Sequence, residues 1–284
     1  MRKYAMVRDL LSLDGTFQFI EAPLAEPRVI ELAHDAGYVR RFLDGTLDRA
    51  AIRRIGFPWS EGLVRRTLAS VGGSLAAAEE ATRAGWGGNL AGGTHHAFRA
   101  EGSGFCVFND IAVVIEYLRA QGRIRRAAVI DLDVHQGDGT AQIFENDPGV
   151  LTLSIHGRNN FPFRKRSSTI DIDLPDRTGD AEYLATLHAT LPRVFDFAPD
   201  FLIYQSGVDA LSTDALGRLS LSLDGLAARD ALVIESCFDY GRPFLITLGG
   251  GYSNPLENTA QAHANTFRTA WRLTAGAANT PPWR

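Results

Sequence analysis

Asp131, Asp133 and His135 alternate along DLDVHQGDG, so an extended chain projects all three from one side. Asp133 and His135 are suited to share one metal ion, and Asp209, in QSGVDA, supplies a third donor. Two carboxylates and one imidazole leave positions open for water and a ligand. That is the layout of a reactive centre rather than a closed structural one. His95 and His96 stand side by side in AGGTHHA, and LGGGY is a glycine turn that presents Tyr252. Each string also has a plain reading. A strand-end Asp often caps a helix, a His pair is often only hydrogen-bonded, and GGGY alone is an ordinary turn. The weight comes from all four strings standing at the ends of successive predicted strands.

Those strands are short apolar runs at 127–132, 150–155, 201–204 and 244–248, with a briefer run at Asn89 and Leu90. Few polar residues interrupt them, as suits strands buried on both faces of a parallel sheet. Between them lie helical patterns at 63–84, 110–121, 180–195, 223–240 and 257–275, with Asn109 or Asp110 placed to cap the second. The alternation predicts an α/β fold in three layers, a mostly parallel central sheet flanked by helices, as one domain over 1–284. Ligands bind such sheets at the carboxyl ends of the strands, where the polar strings stand. The polar stretch 157–180 reads as a long loop with a short extended piece at 170–174, and the tail from 276, with Pro281 and Pro282, as irregular. His34, His188 and His263 fall in helical patterns and receive no role, and His156 follows a strand.

Bulk properties narrow the classes. The 284 residues carry 29 Lys and Arg against 33 Asp and Glu, a net charge of -4, which disfavours direct binding of nucleic acid. The clusters Arg123, Arg125, Arg126 and Arg164, Lys165, Arg166 read as solvated faces. Two cysteines, Cys106 and Cys237, disfavour a disulfide framework and favour a reduced, cytoplasmic setting. No apolar run is long enough for a membrane span, and no signal peptide is read at the start.

Taken together, GGTHHA, GSGFCVFND, DLDVHQGDG, LSIH, QSGVDAL and LGGGY resemble, in order and spacing, the histone deacetylase family of the arginase/deacetylase fold. Gln136, where many members carry a second His, and FPW at 57–59 resemble the class IV branch and its bacterial relatives. The resemblance implies hydrolysis of an acylated amine, in an acyl-lysine peptide or protein or a small acyl amine. Asp133, His135 and Asp209 would bind zinc, with ferrous iron or cobalt as alternatives. His95 and His96, oriented by Asp131 and Asp138, would hold the attacking water and move protons. Tyr252 would donate a hydrogen bond to the oxyanion. Gly104, Phe105, Phe161 and Gly250 would line the substrate tunnel. Asp131, Asp133, His135, Ser154 and Ile155 match the family's monovalent cation site, which implies potassium. Members usually begin with a strand and loop ahead of the Lys3-Tyr4 pair, which this sequence lacks; the open sheet edge favours a homo-oligomer. Two alternatives stand beside this reading: an arginase-like binuclear ureohydrolase, disfavoured by Gly137 where a second metal needs an Asp, and a non-catalytic acyl-lysine-binding module.

Overall fold

The computed structural model describes residues 2–276; the tail with Pro281 and Pro282 lies outside them. Its strands are β1 (Trp86–Asn89), β2 (Ala127–Asp131), β3 (Val150–Gly157), β4 (Ile170–Leu174), β5 (Phe201–Gln205) and β6 (Phe244–Thr247). They form one six-stranded sheet in the order β1-β6-β5-β2-β3-β4, every neighbouring pair parallel. Along β2, Ala128 and Ile130 join one apolar core while Ala127 and Val129 join the other. β5 does the same with Leu202 and Tyr204 against Phe201 and Ile203. Burial on both faces is why these strands read as unbroken apolar runs.

Helices cover both faces, completing three layers. One core packs α1 (Arg2–Ser12), α8 (Asp180–Asp196), α9 (Leu223–Asp239) and α10 (Leu256–Gly276) against the sheet. The other packs α2 (Pro27–Ile30), α3 (Ala36–Leu43), α4 (Arg49–Ile55), α5 (Glu61–Ala84) and α6 (Asp110–Ala120). The short α7 (Asp138–Ile143) follows β2 at the sheet's carboxyl end. Ser60, Asn109 and Ser222 cap α5, α6 and α9 by accepting from the backbone N–H three residues on.

Two readings shift. The strand expected at Asn89 and Leu90 begins earlier, as Trp-Gly-Gly-Asn. A side chain at Gly87 would sit 2.0 Å from the Ala77 carbonyl oxygen of α5, so close packing removes the apolar signal a strand normally carries. His34 lies in a turn after α2 rather than in a helix. Because all six strands run the same way, the segments following β1, β2, β5 and β6 meet at one end of the sheet.

Candidate active site

β2 ends at Asp131, which is in register with Ser154 of β3 and Gln205 of β5. Asp133 and His135 follow β2, and Asp209 follows β5. Donor atoms of these three lie within 4.8 Å of one another. His135 turns Nδ1 inward, 3.0 Å from Asp133 Oδ1 and 3.1 Å from Asp209 Oδ2. Backbone amides fix the carboxylates: Val134 N–H donates to Asp209 Oδ1 at 2.8 Å and Gly250 N–H to Asp133 Oδ2 at 2.7 Å. Burial and the Asp133 charge raise Asp209 to about 6. Burial also opposes charge on His135, but the two carboxylates outweigh it and lift the imidazole to about 11. A buried pair of carboxylates that demands a cation, with one imidazole and further positions open, fits a divalent ion.

His95 and His96 lie beside these donors. His95 Nδ1 pairs with Asp131 Oδ2 at 2.6 Å, and its Nε2 is 3.9 Å from Asp133 Oδ1. His96 Nδ1 pairs with Asp138 Oδ1 at 2.7 Å. Both rings are buried, with centroids 4.1 Å apart. Their proton affinities diverge. Burial works against a charge on His95, yet Asp131 and Asp133 raise it to about 9. Burial and the neighbouring His95 lower His96 to about 4.

Aromatic residues lie around these groups. Phe161 meets the His96 ring edge-on at 5.0 Å, and Gly104 packs its backbone against the same ring. Phe105 is 53% exposed with φ 65, a strained conformation for an aromatic residue that turns its ring outward beside Phe57. Tyr252 is half-exposed, with its backbone N–H on Asp214 and its phenol pushed up to about 12 by burial and Tyr4. Gly250 lies directly against Asp133 and Asp209. Cys106 is buried and its thiol is pushed up by burial, which suits packing rather than nucleophilic attack. The structure brings together the three donors and the two His–Asp pairs, with Gly104 and Phe161 against His96 and Gly250 against Asp133 and Asp209, while Phe105 stands beside Phe57.

The family model for the histone deacetylase domain matches residues 1–270. The chain belongs to the histone deacetylase family. It is 40% identical to an uncharacterised protein of Picosynechococcus, across 95% of this chain and 91% of that one. It is 37% identical to histone deacetylase 2 of Arabidopsis thaliana, across 71% of this chain and 52% of that one. It is 30% identical to a histone deacetylase-like amidohydrolase of Pseudomonas aeruginosa, across 89% of this chain and 70% of that one.

Within this deacetylase fold, groups outside the expected metal and catalytic sets support the site. Asp110 accepts from Gly93 N–H, Thr94 N–H and the Thr94 and Ser74 hydroxyls, so the start of α6 holds the turn before His95. Asn109 donates to the Ala97 carbonyl, and its own N–H donates to His34 Nε2 at 2.8 Å. The fully buried Arg229 donates to the carbonyls of Leu132, Ser206 and Gly207, next to the metal donors. Asp230 balances it and also accepts from Tyr204 and Thr266. Lys3 Nζ donates to Gly249 O at 2.9 Å, 4.8 Å from the Tyr252 ring, with its pKa lowered to about 8 by burial. Gln136 bonds both backbone groups of Arg166 and the Asp171 carboxylate, anchoring the loop that carries Phe161. Gln136 was legible as a departure from the family pattern, and Asn109 and Asp110 as candidate caps of α6. Ser154 bonds His156 at 3.0 Å, next to Ile155 on β3.

Proposed function

We propose that the protein is a metal-dependent deacylase that hydrolyses the amide of an acyl-lysine or a related acylated amine. The observation that carries this is the meeting of Asp133, His135 and Asp209 with two buried imidazoles, each hydrogen-bonded to its own carboxylate. A divalent ion held by those three donors supplies Lewis-acid polarisation of the amide carbonyl and of a water molecule.

The chain's own groups then divide the work. His95 and His96 face the place of attack and hold the water; Asp131 and Asp138 fix which ring nitrogen is presented. One imidazole accepts the water proton as the C–O bond forms. A proton returns to the nitrogen as the C–N bond breaks, releasing a free amine and a carboxylate. Because the rings interact, they titrate as a pair. The Tyr252 hydroxyl donates to the oxyanion, and its raised pKa keeps that proton in place. Phe105 and Phe161 flank the methylene chain of the substrate, which needs apolar contact and no hydrogen bonds.

Zinc is the proposed ion, ferrous iron and cobalt being compatible with the donors. Potassium is proposed beside Asp131, Asp133, His135, Ser154 and Ile155. No described helix is long and apolar enough to cross a membrane, both cysteines are free, and the cytoplasm is the proposed setting. A homo-oligomer is proposed as the assembly. The experiment is turnover of lysine peptides bearing acetyl to long-chain acyl groups, with acetylated polyamines alongside. Release of free amine supports the reading; no release from any of them by metal-loaded protein contradicts it.

A further inference from the structure

The turn from Gly249 to Tyr252 has three consecutive glycines and so few side chains to hold it. Gly249 and Gly251 take φ of 68 and 143, which favour glycine, and glycine leaves the backbone free to move. Two of its peptide units are nevertheless held at both ends. In the first, the Gly250 N–H donates to Asp133 Oδ2 at 2.7 Å, while the Gly249 carbonyl of the same peptide accepts from Lys3 Nζ at 2.9 Å. In the second, the Tyr252 N–H donates to Asp214 Oδ2 at 2.6 Å, while the Gly251 carbonyl accepts from Lys3 Nζ at 3.4 Å. One ammonium, carried by α1, thus stands at the oxygen ends of two peptides whose N–H ends meet carboxylates.

Lys3 is 4% exposed and makes no ion pair among the described residues. Its Nζ lies 5.3 Å from the Tyr4 ring and 4.8 Å from the Tyr252 ring, within reach of a cation–π contact. A buried cation with no carboxylate in contact costs stability, and an apolar side chain of the same length fills the space without that cost. What the ammonium does for the turn offsets it. A cation at the carbonyl end of a peptide polarises that peptide and strengthens the hydrogen bond made by its N–H end. Lys3 therefore tightens the bonds to Asp133 and Asp214 while touching neither.

We propose that Lys3 is a positioning residue that acts through these two peptides, setting the metal donor Asp133 through one and the backbone of Tyr252 through the other. The Tyr252 arm rests on the deacylase reading above; the Asp133 arm rests on the metal donors alone. Without the ammonium, the first peptide is free to rotate and loosens Asp133, and the second shifts the Tyr252 hydroxyl from the oxyanion.

The test uses Lys3→Met, which keeps the length of the side chain and removes its charge. Chelator competition is expected to show metal affinity lowered by about 10–100-fold. Hydrolysis of acyl-lysine peptide at saturating metal is expected to show kcat lowered by about tenfold or more with KM little changed, since the lost contact serves the transition state. The urea midpoint is expected to stay or rise, because a buried charge is gone. Lys3→Arg is expected to restore part of both losses, its guanidinium donating to the same carbonyls. Asp214→Asn separates the arms. Its one side-chain oxygen stays with the Leu216 and Gly217 N–H groups, so the Tyr252 N–H loses its acceptor; kcat is expected to fall while metal affinity holds. Metal affinity and kcat both unchanged in Lys3→Met overturn the proposal, as does a loss that follows a lowered urea midpoint and is not restored by Lys3→Arg. Weakened metal binding in Lys3→Met, with no hydrolysis of any acyl peptide by the unmodified protein, supports the Asp133 arm and overturns the deacylase reading. If Lys3→Met does not fold, Asp214→Asn decides, and an unchanged kcat there overturns the proposal.

Discussion

Replacing Gly250 by Ala tests how tightly the metal donors are held. Gly250 has no positive φ, so its value here is space rather than backbone freedom. An added methyl would lie 2.0 Å from Asp209 Oδ2 and 2.8 Å from Asp133 Oδ2. Ordinary contact requires the Asp209 carboxylate or the Gly250 backbone to retreat by more than an ångström. The 2.7 Å bond from Gly250 N–H to Asp133 is strained at the same time. Disturbing groups that orient metal ligands weakens metal binding by about 10–100-fold. A shift of this size at a reacting centre lowers turnover by about 100-fold. The overpacking itself costs about 1–3 kcal/mol of stability. Chelator competition gives the metal affinity, peptide hydrolysis at saturating metal the turnover, and urea unfolding the stability. Metal affinity and turnover both within twofold of the unmodified protein would refute the reasoning.

Tyr252→Phe is expected to keep its metal and lower kcat by about 100–1000-fold, since one oxyanion donor is lost; kcat within tenfold would assign that role elsewhere. Arg229→Met removes the partner of buried Asp230 and the donor to three carbonyls beside the metal donors. Its expected cost is about 3–5 kcal/mol, read by urea unfolding, with weakened metal binding; an unchanged midpoint argues against it. Burial holds His34 neutral, lowering its pKa from 6.5 to about 4 while Nε2 accepts from Asn109. The unfolded chain therefore binds more protons between these values. This contribution is fully present above pH 6.5 and is lost as pH falls, by about 3 kcal/mol near pH 4. Unfolding of His34→Gln should show a shallower fall across that window, and identical slopes would rule His34 out.

The interior strands were legible because burial on both faces leaves a continuous apolar run, as in Phe201–Gln205. The ends of those strands were legible because Asp133, His135 and Asp209 interrupt the pattern at the place where parallel sheets bind ligands. The glycine-rich β1 escaped because close approach of α5 replaces side-chain packing there. The N-terminal helices escaped for another reason: α2 and α4 span four and seven residues, too short to establish a period. Supporting groups were illegible where they act across long sequence separations. Lys3 reaches Gly249, and Arg229 reaches Leu132, contacts fixed only once α1 and α9 are packed.

The most direct test of the account is hydrolysis of acyl-lysine peptide with bound metal quantified, repeated after chelation, after metal is restored, and in Asp209→Ala. The account predicts about one divalent ion per chain, activity lost with the metal and regained with it, and weakened metal binding in Asp209→Ala. Hydrolysis that persists in fully metal-free protein, or full metal occupancy in Asp209→Ala, would contradict it.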